Sequence, residues 1–215
     1  MVDLDRVIAQ MLSGSPAKTL ASRAGRKLGA RSPRGGGITA IAGVAYTACE
    51  RHRRGRHVSL AGGPSVAFLP PAADPEARHA LGLVLLRSMV AAARAAGKLD
   101  DYPSKRILAA VERLDLDADE RALLLEELGG PIAIGEITTP ERSPEQAAEI
   151  YVAALLAIEI DTPAERAWLA RLAASLALPG DLLEEIRQRL GDATLEGAAD
   201  RREHSSRTVR AAAPC

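Results

Sequence analysis

Five carboxylates lie at two turns between predicted helices, and together they could bind a metal ion. They are Asp100, Asp101, Glu159, Asp161 and Glu165. Calcium and magnesium ions prefer several hard oxygen ligands, so carboxylates that converge from two turns could bind a divalent cation. The alternative is helix capping, with Asp101 and Thr162 as caps and Glu165 closing a capping box. Because neither turn has the spacing of a calcium loop, the sequence favours capping.

A basic run from Arg51 to His57 is the second group of residues that could bind a ligand. Its guanidinium groups could contact nucleic-acid phosphates or anionic lipid headgroups, although a solvated charge run is the plainer interpretation. The arginines are Arg51, Arg53, Arg54 and Arg56. The run has no interleaved aromatic residues, which disfavours nucleic acid. The apolar segment from Ile38 to Cys49 directly precedes the run, which favours an interfacial helix with a polybasic neighbour.

Signals for catalysis are absent from the sequence. The four histidines are scattered, and none lies at ligand spacing from a cysteine or carboxylate, which disfavours a zinc site. Ser, Cys and His form no recognisable nucleophile motif, and no glycine-rich loop between a strand and a helix could hold phosphate. We therefore expect a protein that is not an enzyme, with no cofactor unless a divalent cation binds at the acidic turns.

The cysteines and the apolar segments bear on the cellular location of the protein. Cys49 and Cys215 make neither a metal-site spacing nor a disulfide framework, which is typical of a reducing environment. The 12 residues from Ile38 to Cys49 would span about 18 Å as a helix, against about 30 Å for the hydrocarbon core of a bilayer. The segment is too short to cross a membrane unaided, and we expect a cytoplasmic protein.

An internal repeat predicts the elements that position these residues. Residues 89–128 recur in degenerate form at 151–190, an offset of about 62 residues, as expected for a duplicated helical unit. Start signals include the capping box Ser143-Pro144-Glu145-Gln146. Apolar periodicity predicts six main helices, near 75–97, 103–114, 117–128, 143–159, 163–176 and 180–190. The predicted fold class is all-α, a compact helical bundle of two three-helix repeats over residues 74–192.

Charge separates this bundle from the rest of the chain. Residues 1–57 contain 11 Lys and Arg against 3 Asp and Glu, whereas residues 74–200 contain 13 against 24. Small residues and arginines dominate residues 17–37, so we predict for residues 1–73 a flexible, basic, Gly- and Arg-rich N-terminal arm with a short apolar helix at 38–50 and a linker. Residues 193–215 are predicted to be a disordered tail.

Several stretches that together cover nearly the whole chain carry a family resemblance. They are DRVIAQMLSG, GRKLGA, GGGITAIAGVAYTACERHRR, RSMVAAARAAGKLD and PEQAAEIYVAALLAIEIDTPAERAWLARLAASLALP. In these stretches the chain resembles the TerB-like superfamily of tellurite-resistance proteins, specifically its YebE-type bacterial inner-membrane branch of unknown function. The resemblance implies an all-helical, metal-linked, non-enzymatic domain associated with stress or tellurite resistance. Ala96 and Ser104 stand where that family carries acidic residues, so only the second turn keeps a full acidic set.

These observations lead to a non-catalytic, TerB-like helical binding or scaffold module as the leading hypothesis. Its basic arm would hold it to a protein partner or to the anionic inner face of a bacterial membrane. Divalent-metal binding or sensing at the acidic turns is one alternative, and nucleic-acid binding by the arm is another. The partner's identity is left open by the sequence.

Overall fold

The computed structural model describes most of the chain between residues 3 and 191. The described residues are 3–12, 36–55, 68, 70, 74–95, 118–130, 132–139, 142–158, 160 and 162–191. They contain eight α-helices and no β-strand, so the fold class is all-α, as predicted. The helices are α1 (Leu4–Leu12), α2 (Gly37–Gly55), α3 (Pro75–Ala95), α4 (Ala118–Gly129), α5 (Ile134–Ile137), α6 (Pro144–Ala157), α7 (Pro163–Ser175) and α8 (180–191).

Local capping chemistry accounts for where these helices begin. The Ser143 hydroxyl accepts a hydrogen bond from the Gln146 N–H at 3.2 Å, and the Gln146 side chain accepts one from the Ser143 N–H at 3.2 Å. This is the capping box that the sequence predicts at the start of α6. Asp74 likewise accepts from the Ala77 N–H at 2.9 Å and caps α3. The helix predicted at 103–114 and the tail at 193–215 lie outside the described residues.

Helices α3 and α6 cross at the centre of the bundle. Ser88 on α3 and Ile150 on α6 are both fully buried at this crossing. The Ser88 hydroxyl donates to the Ile150 carbonyl at 3.0 Å, and the two residues are 62 positions apart. Their separation equals the offset of the predicted repeat, and they directly precede residues 89 and 151, where its two copies begin. The relation between two three-helix copies stays a prediction, because residues 96–117 of the first copy lie outside the described residues.

Helices α1 and α2 pack in the bundle, although the sequence predicts that the bundle begins only after residue 73. Val7 and Ile8 of α1 and Ile41 and Ala45 of α2 are fully buried in the same apolar core as α3 and α6. Helix α1 packs on α2 and α3, and α2 packs on α6. Phe68 is also buried, with its ring edge-on to Tyr46 at 5.6 Å between centroids. A separate flexible arm is therefore wrong for residues 4–12 and 37–55, which belong to the bundle.

The close approach of α1 to Gly37 explains why the glycine-rich sequence before α2 suggests a flexible arm although α2 is packed in the bundle. A Cβ atom on Gly37 would lie 2.3 Å from the Ala9 backbone nitrogen, so only glycine lets α1 approach the start of α2 this closely. The Asp5 carboxylate accepts from the Ile38 N–H at 2.8 Å and satisfies the first turn of α2. Burial raises the pKa of Asp5, although the bond from Ile38 acts in the opposite direction. Glycines that indicate flexibility in the sequence are therefore a packing requirement in the fold.

Helix α2 is longer than the predicted apolar segment at 38–50, because it continues through the arginines to Gly55. Its apolar residues face α1 and α6 within the core. An interfacial helix needs an uncovered apolar face, so α2 could serve that role only by leaving the bundle. None of the helices in the described ranges is long and apolar enough to cross a bilayer.

Candidate functional site

Four of the five predicted metal ligands, Asp100, Asp101, Glu159 and Asp161, lie outside the described residues. Glu165 is 1% exposed and accepts from the Thr162 N–H at 2.7 Å, while the Thr162 hydroxyl accepts from the Glu165 N–H at 3.2 Å. Glu165 thus closes the capping box of α7, the alternative that the sequence favours. Within the described ranges, His, Cys, Asp and Glu form no group of three or more that could hold a metal ion.

Three of the four predicted polyanion-binding arginines form ion pairs within this chain. Arg51 contacts Glu185 on α8 at 3.4 Å, Arg53 contacts Glu145 on α6, and Arg54 contacts Glu50 on its own helix at 2.6 Å. Arg56 lies outside the described residues. His52 adds a contact with Asp181 at 3.4 Å. The charge separation along the sequence therefore becomes charge pairing between the end of α2 and the acidic helices α6 and α8.

These pairs differ in their exposure to solvent. The Arg51 side chain is 54% exposed, and an ion pair in that setting adds about 0–1 kcal/mol to stability. Arg53 and Glu145 are only 21% and 12% exposed, so water screens their attraction much less. Burial is the largest influence on the pKa of Glu145 and raises it, but the hydrogen bonds from Arg53, Ser143 and the backbone, with the charge of Arg53, together hold that pKa below its usual value. Arg53–Glu145 is therefore the pair that fixes α2 on α6.

Beside this pair lies a cavity of about 570 Å³. Its polar wall comes from the end of α2 and from the connection between α5 and α6: His52, Arg53, Thr138, Thr139 and Arg142. Its apolar wall comes mainly from α6, α8 and the turn between α7 and α8: Ala147, Leu176, Leu178, Pro179 and Leu182. The cavity combines a concave apolar surface with a few polar side chains, which is the usual composition of a small-molecule site.

The turn that forms part of the apolar wall has an unusual backbone. The Leu178 N–H donates to the Ala173 carbonyl at 3.1 Å, and the Ala177 N–H donates to the Ala174 carbonyl at 3.1 Å. These bonds form a Schellman motif at the end of α7, in which glycine normally occupies the left-handed position. Here the position is held by Ala177 with φ of 50°. Backbone strain of this kind is concentrated at functional sites in proteins.

Two buried acid groups lie near the Arg53–Glu145 pair. Burial raises the pKa of the Cys49 thiol, which lines the cavity, to about 12. Glu149 is fully buried, and neither of its carboxylate oxygens has a hydrogen-bond partner among the described residues. Burial, with a smaller contribution from Glu145, raises the pKa of Glu149 well above its ordinary value. Cys49 therefore keeps its proton at neutral pH, and burial shifts Glu149 toward its protonated form.

Sequence reasoning identified Arg53 but missed the other members of this site. For Glu149 a signal existed, because it is the only charged residue from Gln146 to Ile158, a helical stretch that is apolar on all sides. For Arg142 and the turn at 176–179 we find no local signal, because they reach the cavity only through long-range packing. His52 and Arg53 were assigned to a solvent-facing run, whereas their side chains are 13% and 21% exposed.

A family model described as protein of unknown function (DUF533) matches residues 7–190 of the chain. No curated protein matches the chain, and no solved structure does. The matched range runs from α1 into α8 and includes every residue of the cavity wall. The family description names neither tellurite resistance nor a membrane, so the resemblance to TerB-like proteins stays a prediction.

Proposed function

The chain belongs to the DUF533 family of proteins of unknown function, and from that premise we propose that it is a non-catalytic helical module that binds a small molecule. The cavity between α2, α6 and the α7–α8 turn is the binding site. The single observation that carries the proposal is its size, about 570 Å³. Small-molecule sites in proteins occupy about 300–1,000 Å³.

Polar contacts between helices around the cavity support binding because they hold its walls in place. Arg53 joins the end of α2 to α6, while Arg51 and His52 join it to α8. A site whose walls are already fixed loses less conformational freedom when a ligand enters. The arrangement therefore favours a preformed pocket over one that assembles around its ligand.

The thiol in the wall supports binding over covalent catalysis. Thiolate, rather than thiol, is the nucleophilic form of cysteine. With its pKa raised to about 12, Cys49 keeps its proton at neutral pH. We therefore assign Cys49 to the packing of the cavity wall, and propose that the protein is not an enzyme of the cysteine-nucleophile type.

A cavity-blocking variant tests the proposal. Ser175 lies at the exposed rim of the cavity, and its neighbour Ala174 is exposed but does not line it. The purified protein would be screened against a small-molecule library by thermal unfolding, because a ligand at about 100 times its Kd adds about 2.7 kcal/mol to stability. Ser175→Trp is expected to abolish the shifts, and the matched control Ala174→Trp to keep them. The proposal fails if no compound stabilises the protein, or if Ser175→Trp binds as well as the control.

The other roles expected from the sequence stay predictions. A scaffold role toward a protein partner, membrane association and a link to stress or tellurite resistance rest on the family resemblance alone. Polyanion binding by Arg51, Arg53 and Arg54 would compete with carboxylates that these side chains already contact. Divalent-metal binding depends on Asp100, Asp101, Glu159 and Asp161, and calorimetry with Ca²⁺ and Mg²⁺ would test it directly.

A further inference from the structure

We infer that the ligand of this cavity is a small organic monocarboxylate with a short aliphatic body, and that Arg53 is its anchor. The inference rests on the proposed function, because it names the ligand class of the same cavity. It is carried by the two ends of the Arg53 guanidinium, which have different surroundings.

One terminal nitrogen of the guanidinium has a hydrogen-bond partner among the described residues, and the other has none. Nη2 donates to a Glu145 carboxylate oxygen. Nη1 is buried and has no hydrogen-bond partner among the described residues, although Arg53 lines the cavity. A buried donor left unpaired costs about 1–3 kcal/mol, and more when it carries charge. Once the guanidinium turns so that Nη1 faces the cavity, an oxygen acceptor on a bound ligand would recover that cost, and a carboxylate would do so with a charge-assisted hydrogen bond.

The charges around the cavity limit the ligand to a single negative charge. Arg53 and Arg142 bring two positive charges to the wall. Two carboxylates lie just behind it, Glu145 in contact with Arg53 and Asp181 in contact with His52. A dianion such as a phosphate monoester would be repelled by both carboxylates, whereas a monocarboxylate gains the hydrogen bond from Nη1 with less repulsion. The site therefore favours a carboxylate over a phosphate.

The remaining wall determines the body of the ligand. Leu176, Leu178 and Leu182 line it together with Pro179 and Ala147, and these side chains offer no hydrogen bond. Apolar burial contributes roughly 0.8 kcal/mol for each CH₂ group removed from water. Affinity is therefore expected to rise with chain length until the cavity is filled.

Isothermal titration calorimetry of the full chain with acetate, butyrate, hexanoate and octanoate tests the inference. Hexanamide and inorganic phosphate serve as probes that lack the charge or the apolar body. We expect each added pair of CH₂ groups to tighten binding by roughly tenfold from acetate to hexanoate. Hexanamide and phosphate are expected to bind at least tenfold more weakly than hexanoate. Equal affinity for hexanoate and hexanamide would overturn the inference.

Variants of the anchor provide the second part of the test. Arg53→Gln is expected to weaken hexanoate binding at least tenfold. Arg54→Gln is the matched control, because Arg54 is paired with Glu50 on its own helix and does not line the cavity, and it should leave affinity unchanged. If Arg53→Gln fails to fold, the double variant Arg53→Gln/Glu145→Gln removes both charges together and must show the same loss. Equal hexanoate affinity in the anchor variants and the Arg54→Gln control would sink the inference.

These outcomes separate the inference from the proposed function. Neutral compounds that bind wild type but not Ser175→Trp, while all four carboxylates fail, would keep the cavity as a site and overturn the carboxylate assignment. No binding of any compound would overturn both. Hexanoate binding that depends on Arg53 and is blocked by Ser175→Trp would support both.

Discussion

The Ser88 hydroxyl donates a 3.0 Å hydrogen bond to the Ile150 carbonyl, joining two residues that are 62 positions apart. That separation equals the offset of the predicted internal repeat, and the two residues, which meet at the crossing of α3 and α6, directly precede its two copies. Both residues are fully buried, and the small serine side chain lets the two helices approach. The crossing therefore depends on the size of residue 88 as well as on its hydroxyl.

Substitutions at Ser88 should separate these two contributions. Ser88→Ala keeps residue 88 small and removes only the hydrogen bond to the Ile150 carbonyl, which remains within α6. We therefore expect the free energy of unfolding to fall by about 0.5–1.5 kcal/mol. Ser88→Leu adds volume to a closely packed crossing and should cost about 1–3 kcal/mol or more. Urea denaturation measures both values. A cost for Ser88→Leu no larger than that for Ser88→Ala would show that the crossing is not size-limited.

Gly37 gives the second prediction, because a side chain there would meet α1. In Gly37→Ala the new Cβ would be 2.3 Å from the Ala9 nitrogen and 2.5 Å from Cγ2 of Ile8. We expect destabilisation of about 1–3 kcal/mol or more as α1 moves away from α2. Gly55→Ala is the matched control at the other end of the same helix, where a Cβ would meet nothing within 4 Å. Equal thermal stability of the two variants would contradict the close approach.

Glu149 gives a prediction about pH. Its pKa is raised in the folded protein by burial, so its contribution to stability is fully present below the unfolded pKa of about 4.5 and is lost as pH rises through the folded value. Glu149→Gln cannot ionise, and it should gain stability relative to wild type as pH rises from 4.5 toward neutrality. Denaturation with urea at a series of pH values measures the difference, and a difference independent of pH would refute the assignment.

Glu145 is the control for that experiment, because its effect on stability should change with pH in the opposite direction. Its pKa is lowered in the folded protein, because burial raises it but hydrogen bonds, led by the one from Arg53, and the charge of Arg53 together lower it by more. Its contribution is therefore present above the unfolded pKa and lost as pH falls through the folded value. Glu145→Gln should lose stability relative to wild type at neutral pH and approach it in acid, the reverse of the trend for Glu149→Gln.

The sequence predicts what is encoded locally and misses what depends on distant packing. The capping boxes at Ser143 and Thr162 are complete within four residues, so they could be predicted along with the helices that they start. The partner of Arg53, by contrast, is 92 positions away, and sequence alone assigned that arginine to a solvated arm. The Asp5–Ile38 bond across 33 positions likewise turned a glycine-rich segment into a helix start. The cavity joins three separate stretches of the chain, 49–53, 138–147 and 175–182, and has no local signature.

Ala177 provides the last prediction, because its φ of 50° lies in the left-handed region. That conformation costs an alanine about 1–2 kcal/mol, while glycine adopts it freely but loses more backbone entropy on folding. Ala177→Gly should therefore raise the free energy of unfolding by up to about 1 kcal/mol. Ala174→Gly makes the same change within α7, where glycine should instead lower stability by about 0.5–1 kcal/mol. Chemical denaturation of both variants tests the difference in sign. Because Ala177 lines the cavity, the ligand affinity of Ala177→Gly would also show whether a strained turn is needed to shape the site.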